Sequence, residues 1–225
     1  MRMLGDLALQ TYWLAMQAAR PLLPLFIARR ERAGKEDGLR HQERLGHTDA
    51  ERPEGPLAWV HAASVGETNA VLPLCTALTE RGFTVLITTV TTTAAQTMAD
   101  KTSDHAGIVH QYAPLDVPSI VQKFLDHWQP SLAIFAESEI WPMTIKALSA
   151  RSIPSAIVNG RMSDRSFRRW RKFKSATPSL FGRIDQVLVR GEEDLLRFQE
   201  LGAAKIAITG NLKYDSPAAK IDPEQ

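Results

Sequence analysis

From residue 57 onward the sequence alternates short apolar runs with longer amphipathic stretches, and no other feature restricts the fold as much. Apolar runs this short are too brief for buried helices and read as strands. The stretches between them, apolar at three- and four-residue spacing, read as helices. The pattern predicts strands over Leu57–Ala62, Thr84–Val90, Ile108–Tyr112, Leu132–Phe135, Ala156–Asn159, Gln186–Val189 and Ile206–Ile208. It predicts helices over Glu67–Arg81, Thr92–Lys101, Pro118–His127, Pro142–Arg151, Ser166–Ser175 and Glu192–Glu200. Parallel strands need such crossovers, and right-handed ones build an α/β, doubly wound parallel sheet of the Rossmann-like kind. Ligands of such sheets bind beyond the carboxyl ends of the strands, so the informative residues are expected there.

Composition narrows the function. Of 225 residues, 44% are hydrophobic, enough to bury a core. Lysines and arginines number 27 against 25 acidic residues, a net charge of +2, which excludes an acidic tail and a histone-like polycation. Any electrostatic function must therefore be local. One cysteine, Cys75, permits neither an internal disulfide nor a Cys-based zinc site, fits a reducing compartment, and reads as a small apolar residue on a helix face. The histidines at 41, 47, 61, 105, 110 and 127 show no metal-ligand spacing, and no metal is expected.

Residues 1–32 have a different character. Leu7 to Ala28 is about long enough to span a bilayer, but it contains Arg20, Pro21 and Pro24. Asp6 and the lack of a small-residue cleavage site argue against a removed signal peptide. Arg29, Arg30 and Arg32 would hold the flank on the cytoplasmic side, and Tyr12 and Trp13 could sit at the interface. Residues 1–32 are thus read as a membrane-anchor segment, with an amphipathic helix packed on the domain as the alternative. Residues 33–56, polar and glycine-containing, read as a connector with one short helix.

Three strand ends stand out. The first runs His61-Ala62-Ala63-Ser64-Val65-Gly66-Glu67 into a helix, where free backbone amides favour an anion. It is neither a P-loop nor a dinucleotide fingerprint. Glu67 reads either as a first-turn carboxylate favoured by the helix dipole or as a general base facing the crevice. The fourth strand ends in Ala136-Glu137-Ser138-Glu139-Ile140-Trp141-Pro142, two carboxylates at a strand-to-helix turn. One could cap the helix while the other faces ligand. Finally, residues 161–174 hold seven basic residues against one acidic, with Phe167, Trp170 and Phe173 at every third position. Such a face suits nucleic acid or phosphorylated lipid headgroups, or it is a core stripe with a solvated flank. The apolar amino terminus favours a membrane surface over nucleic acid, with Arg168, Arg169, Trp170 and Lys172 as its contacts.

Taken together, WVHAASVGE (59–67), TTVTTTA (88–94), YAPLD (112–116), ESEIWP (137–142), NGRMSDRSFRRW (159–170), GEEDLLRFQELGA (191–203) and GNLKYD (210–215) resemble a known family. In order and spacing they are similar to the amino-terminal half of bacterial 3-deoxy-D-manno-octulosonic acid (Kdo) transferases, over most of residues 35–215. The resemblance implies one half of a two-domain GT-B glycosyltransferase. It also implies an amino-terminal anchor at the cytoplasmic face of the inner membrane, and transfer of Kdo from CMP-Kdo to a lipid A precursor without a metal or other cofactor. Met143 stands where the family usually has Asn, and Gly160 where it usually has Ala. Such enzymes are about twice as long, so residues 57–215 would be the acceptor-binding domain and 216–225 the start of a linker to a donor-binding domain.

A hydroxyl acceptor is a feeble nucleophile at neutral pH, and a carboxylate must take its proton. Glu67 is the expected base. Glu139, with Glu137 second, would orient the acceptor or hold a basic partner. Ser64 and the amides around Gly66 would bind an anionic group, Arg161 and Arg165 would grip acceptor phosphates, and Lys213 would be a further ligand. The alternative is a non-catalytic module that binds anionic lipid through the basic aromatic helix.

Overall fold

A computed structural model describes residues 2–102, 105 and 107–215. Seven strands form one parallel sheet: β1 (Leu57–His61), β2 (Thr84–Thr89), β3 (Ile108–Tyr112), β4 (Leu132–Ala136), β5 (Ser155–Gly160), β6 (Gln186–Val189) and β7 (Ile206–Ile208). Helices α1 (Arg2–Ala19) and α2 (Leu23–Arg32) precede the sheet. The crossovers carry α3 (Val65–Thr79), α4 (Thr92–Thr102), α5 (Pro118–Trp128), α6 (Pro142–Ala150), α7 (Asp164–Arg171), α8 (Thr177–Phe181) and α9 (Glu192–Leu201). All seven expected strands are present, within a residue of their expected ends.

The strand order is β3-β2-β1-β4-β5-β6-β7. It reverses between β1 and β4, where successive crossovers depart in opposite directions and leave a crevice at the carboxyl ends. Register places His61 beside Thr88 of β2 and Phe135 of β4. Glu67, Glu137 and Glu139 therefore all follow strands that border the switch point.

Burial on both faces explains the near-continuous apolar strands. Successive residues point to opposite faces, so Trp59 packs with Phe124 and Phe135 while Val60 joins Val71, Cys75, Ile87 and Ile134. Burial pushes the Cys75 thiol up to about 12, so it behaves as the small apolar residue its position suggested.

Two regions differ from expectation. The basic helix begins two residues earlier and stops at Arg171, because Ser163 caps it by accepting the Ser166 N–H. A second short helix, α8, follows, with Pro178 in its first turn. At the amino terminus, Pro21 lies in a 3-10 turn that separates α1 from α2. Helix α1 packs on the domain: a Cβ at Gly5 would lie 2.3 Å from the Ser175 carbonyl and the Ser179 hydroxyl, and Leu9 enters the main core. Leu7, Trp13, Leu14, Leu22, Leu25 and Phe26 remain exposed. Among the described residues no helix is long and apolar enough to cross a membrane. The connector carries a 3-10 turn, His41–Leu45, and residues 216–225 lie outside the described residues.

Candidate active site

The turn after β1 is built as a cap. Ser64 is the N-cap of α3, and its hydroxyl donates to Glu67 Oε1 at 2.8 Å while the Ala63 N–H donates to Oε2 at 2.9 Å. Each oxygen keeps a further lone pair. The geometry is that of a capping carboxylate with acceptor capacity to spare. Burial raises its pKa above the usual carboxylate value; the two hydrogen bonds oppose this, and the charges of Glu139 and Glu137 add to it. Ser64 departs from expectation, since its only O–H is committed to Glu67 and is not offered to an anion. Open space adjoins Gly66: no atom lies within 4 Å of where its Cβ would stand.

Glu139, after β4, is tuned the other way. Its Oε2 accepts the Trp141 indole N–H at 2.9 Å and stands 3.7 Å from His61 Nε2. Burial works against its charge, but His61 and Trp141 outweigh it and hold Glu139 below the usual carboxylate range. The two environments thus push the pKa values of these neighbouring carboxylates in opposite directions.

His61 is fully buried, with its ring 4.5 Å from that of Trp141. Thr88 Oγ1 accepts the Trp59 indole N–H at 2.8 Å and lies 2.9 Å from His61 Nδ1. His61 Nε2 faces Glu139 Oε2 at 3.7 Å, beyond hydrogen-bond distance, and has no hydrogen-bond partner among the described residues.

Glu137 meets a basic partner. It forms an ion pair with Arg190, whose Nε also donates to Asn159 Oδ1 at 2.9 Å. Glu137 and Asn159 both have left-handed backbones, with φ of +55° and +54°. Such conformations cost non-glycine residues and collect at working sites. Asn159 and Arg190 end β5 and follow β6, so the polar line runs along four adjacent strand ends from His61 to Arg190.

Other assigned residues sit apart. Arg161 and Arg165 are exposed on the β5–α7 turn and the first turn of α7. Arg168, Arg169 and Lys172 are exposed, but Trp170, expected at the membrane face, turns inward with its ring 5.5 Å from Phe181. Phe167 packs inward as well and Phe173 stays exposed, so the aromatic stripe divides between core and surface. Lys213 lies in the 3-10 turn Leu212–Asp215, and its side chain is outside the described ones. Sequence reasoning missed His61, Thr88, Asn159 and Arg190 as partners; their one legible signal was polarity at strand ends.

A family model described as 3-Deoxy-D-manno-octulosonic-acid transferase (kdotransferase) matches residues 39–216. A probable mitochondrial 3-deoxy-D-manno-octulosonic acid transferase of Arabidopsis thaliana is 36% identical over 94% of this chain and 48% of its own length. The 3-deoxy-D-manno-octulosonic acid transferase of Rickettsia felis is 38% identical over 75% of this chain and 36% of its own. That of Bordetella pertussis is 35% identical over 91% and 49%. The chain thus spans about half the length of these relatives or less.

Proposed function

The chain belongs to the Kdo transferase family, and from that premise we propose that it is the acceptor-binding half of a GT-B glycosyltransferase that moves Kdo from CMP-Kdo to a lipid A precursor. The observation that carries the reading is the Glu67 carboxylate at the switch point, raised in basicity by burial and by Glu139 and Glu137, beside the open space at Gly66. Transfer to an alcohol is displacement at the anomeric carbon, with the donor's CMP phosphate leaving and the hydroxyl proton passing to Glu67. Its elevated pKa improves the match between base and hydroxyl. Glu139, kept charged, orients the acceptor. Glu137 and Asn159 fix the Arg190 guanidinium at the crevice.

Attachment to the cytoplasmic face of the inner membrane fits the exposed apolar residues of α1 and α2 followed by Arg29, Arg30 and Arg32. On this reading the segment lies on the bilayer, and Arg168, Arg169 and Lys172 meet its anionic headgroups. The non-catalytic lipid-binding alternative uses the same surface, and activity separates the two.

In the complete enzyme, Glu67→Gln retains fold and lipid binding and loses at least about 100-fold in transfer, the lower range for a missing general base. A near-normal rate removes Glu67 from the mechanism. Kdo transfer by the 225-residue chain alone would contradict its assignment as half of the catalytic unit.

A further inference from the structure

Beside the crevice, a groove of about 390 Å³ runs between α1 and the α7–α8 turn. Leu9 and Tyr12 form one wall, Trp170, Phe173 and Leu180 the other, and Ile140 lies between them. Among the described residues that line it, Arg169 is the charged one. The groove shares Tyr12, Ile140 and Pro142 as walls with a smaller cavity of about 250 Å³ bordered by Trp141, whose indole N–H donates to Glu139. The groove is mostly apolar, and its Ile140 wall lies one residue from Glu139 in the chain.

We infer that this groove seats one acyl chain of the lipid acceptor, an inference that rests on the transferase reading above. The competing occupants fit less well. A helix is about 10–12 Å across, so a single turn would fill a volume on the order of 400–600 Å³. An extended peptide brings an N–H and a C=O per residue, and the lining side chains offer it Arg169 and a Tyr12 hydroxyl already bonded to Asp116. An aliphatic chain needs no partner at all. The charge also matches: Arg169 at the groove, with Arg168 and Lys172 exposed on the same helix and its following turn, suits the phosphates of an anionic lipid. Helix α1 links groove to bilayer, because it lines the groove with Leu9 and Tyr12 and exposes Leu7, Trp13 and Leu14 elsewhere.

The test uses the 225-residue chain in neutral detergent with two photoreactive probes. One is an acylated, phosphorylated glucosamine disaccharide of the lipid A precursor type with a diazirine in an acyl chain; the other is phosphatidylglycerol with the same diazirine. The disaccharide probe is expected to label Leu9, Tyr12, Trp170 and Phe173, and each methylene removed from its chain is expected to weaken labelling about fourfold. Ala176→Phe, which fills the groove, and Phe173→Asp, which charges its exposed mouth and leaves the core intact, should each cut that labelling at least about tenfold. Labelling confined to Leu14, Leu22, Leu25 and Phe26, or insensitive to both variants, overturns the inference. Equal labelling of the groove by phosphatidylglycerol overturns it in favour of bulk lipid. In the complete enzyme, Phe173→Asp should raise KM for the acylated acceptor about tenfold and leave transfer to a deacylated one unchanged. No transfer by the native complete enzyme, with groove labelling intact, would defeat the transferase reading and not the lipid seat. Transfer without groove labelling would defeat the seat alone.

Discussion

Two polar clusters cover the carboxyl ends of this sheet, and they are built on opposite terms. Over β2 and β3, Arg44 is 3% exposed and spends its guanidinium on Glu36 Oε1 (2.6 Å) and on the Thr89, Val90 and Ala113 carbonyls. Arg30 takes the other Glu36 oxygen, Glu43 accepts the Tyr112 N–H and pairs with Arg40, and both Arg40 and Arg44 stack on the Tyr112 ring. Over β1, β4, β5 and β6, by contrast, His61 Nε2 has no hydrogen-bond partner, Glu137 and Asn159 are strained, and Glu67 is pushed up. Dense bonding around Arg44 closes the first cluster over the strand ends. Spare bonding capacity and strain leave the second open, the condition that the proposed acceptor site requires.

The difference is testable first by breaking the closed side. Arg44→Met should cost about 3 kcal/mol in urea unfolding, the lower end for breaking a buried ion pair. It leaves the buried Glu36 carboxylate to Arg30 and takes the guanidinium from the Thr89, Val90 and Ala113 carbonyls. Replacing Glu36 as well, in a Glu36→Leu, Arg44→Met double variant, should recover most of that loss. A single-variant cost below about 1 kcal/mol would mean that the cluster is solvated and that the two sides are not distinct.

A smaller effect is expected from acid. His110, on the closed side, is pushed down to about 3 by burial and by Arg40 and Arg44. Between its ordinary 6.5 and that value the unfolded chain binds a proton that the folded chain refuses, so stability declines as pH falls through this window. The slope between about pH 6.5 and 5, above the carboxylate range, should flatten in His110→Gln; an unchanged slope would show that His110 titrates normally.

The finest test sharpens the open side. Glu139→Gln removes a charge that raises Glu67, so carbon-13 titration should find the Glu67 pKa lower than in the native chain and the fold unchanged. No movement would uncouple the two carboxylates and weaken their division of labour.

Much of this architecture was legible in the linear pattern, for a physical reason. A strand buried on both faces must be apolar throughout, and a crossover helix must repeat its apolar positions every three to four residues, so β1 to β7 announce themselves locally. Strand ends follow from those runs, which is how Glu67, Glu137 and Glu139 could be singled out. Pairing across distance could not be read this way. Glu137 and Arg190 are 53 residues apart, and only the adjacency of β4, β5 and β6 brings them together. The connector looked like a linker because Glu36 and Arg44 show their purpose only against carbonyls that belong to other strands. The same holds for α1: its composition suits a bilayer or a domain equally, and the close approach of Gly5 to Ser179 is what seats one side of it on protein. Periodicity is a property of neighbours along the chain, whereas bond satisfaction is a property of neighbours in space.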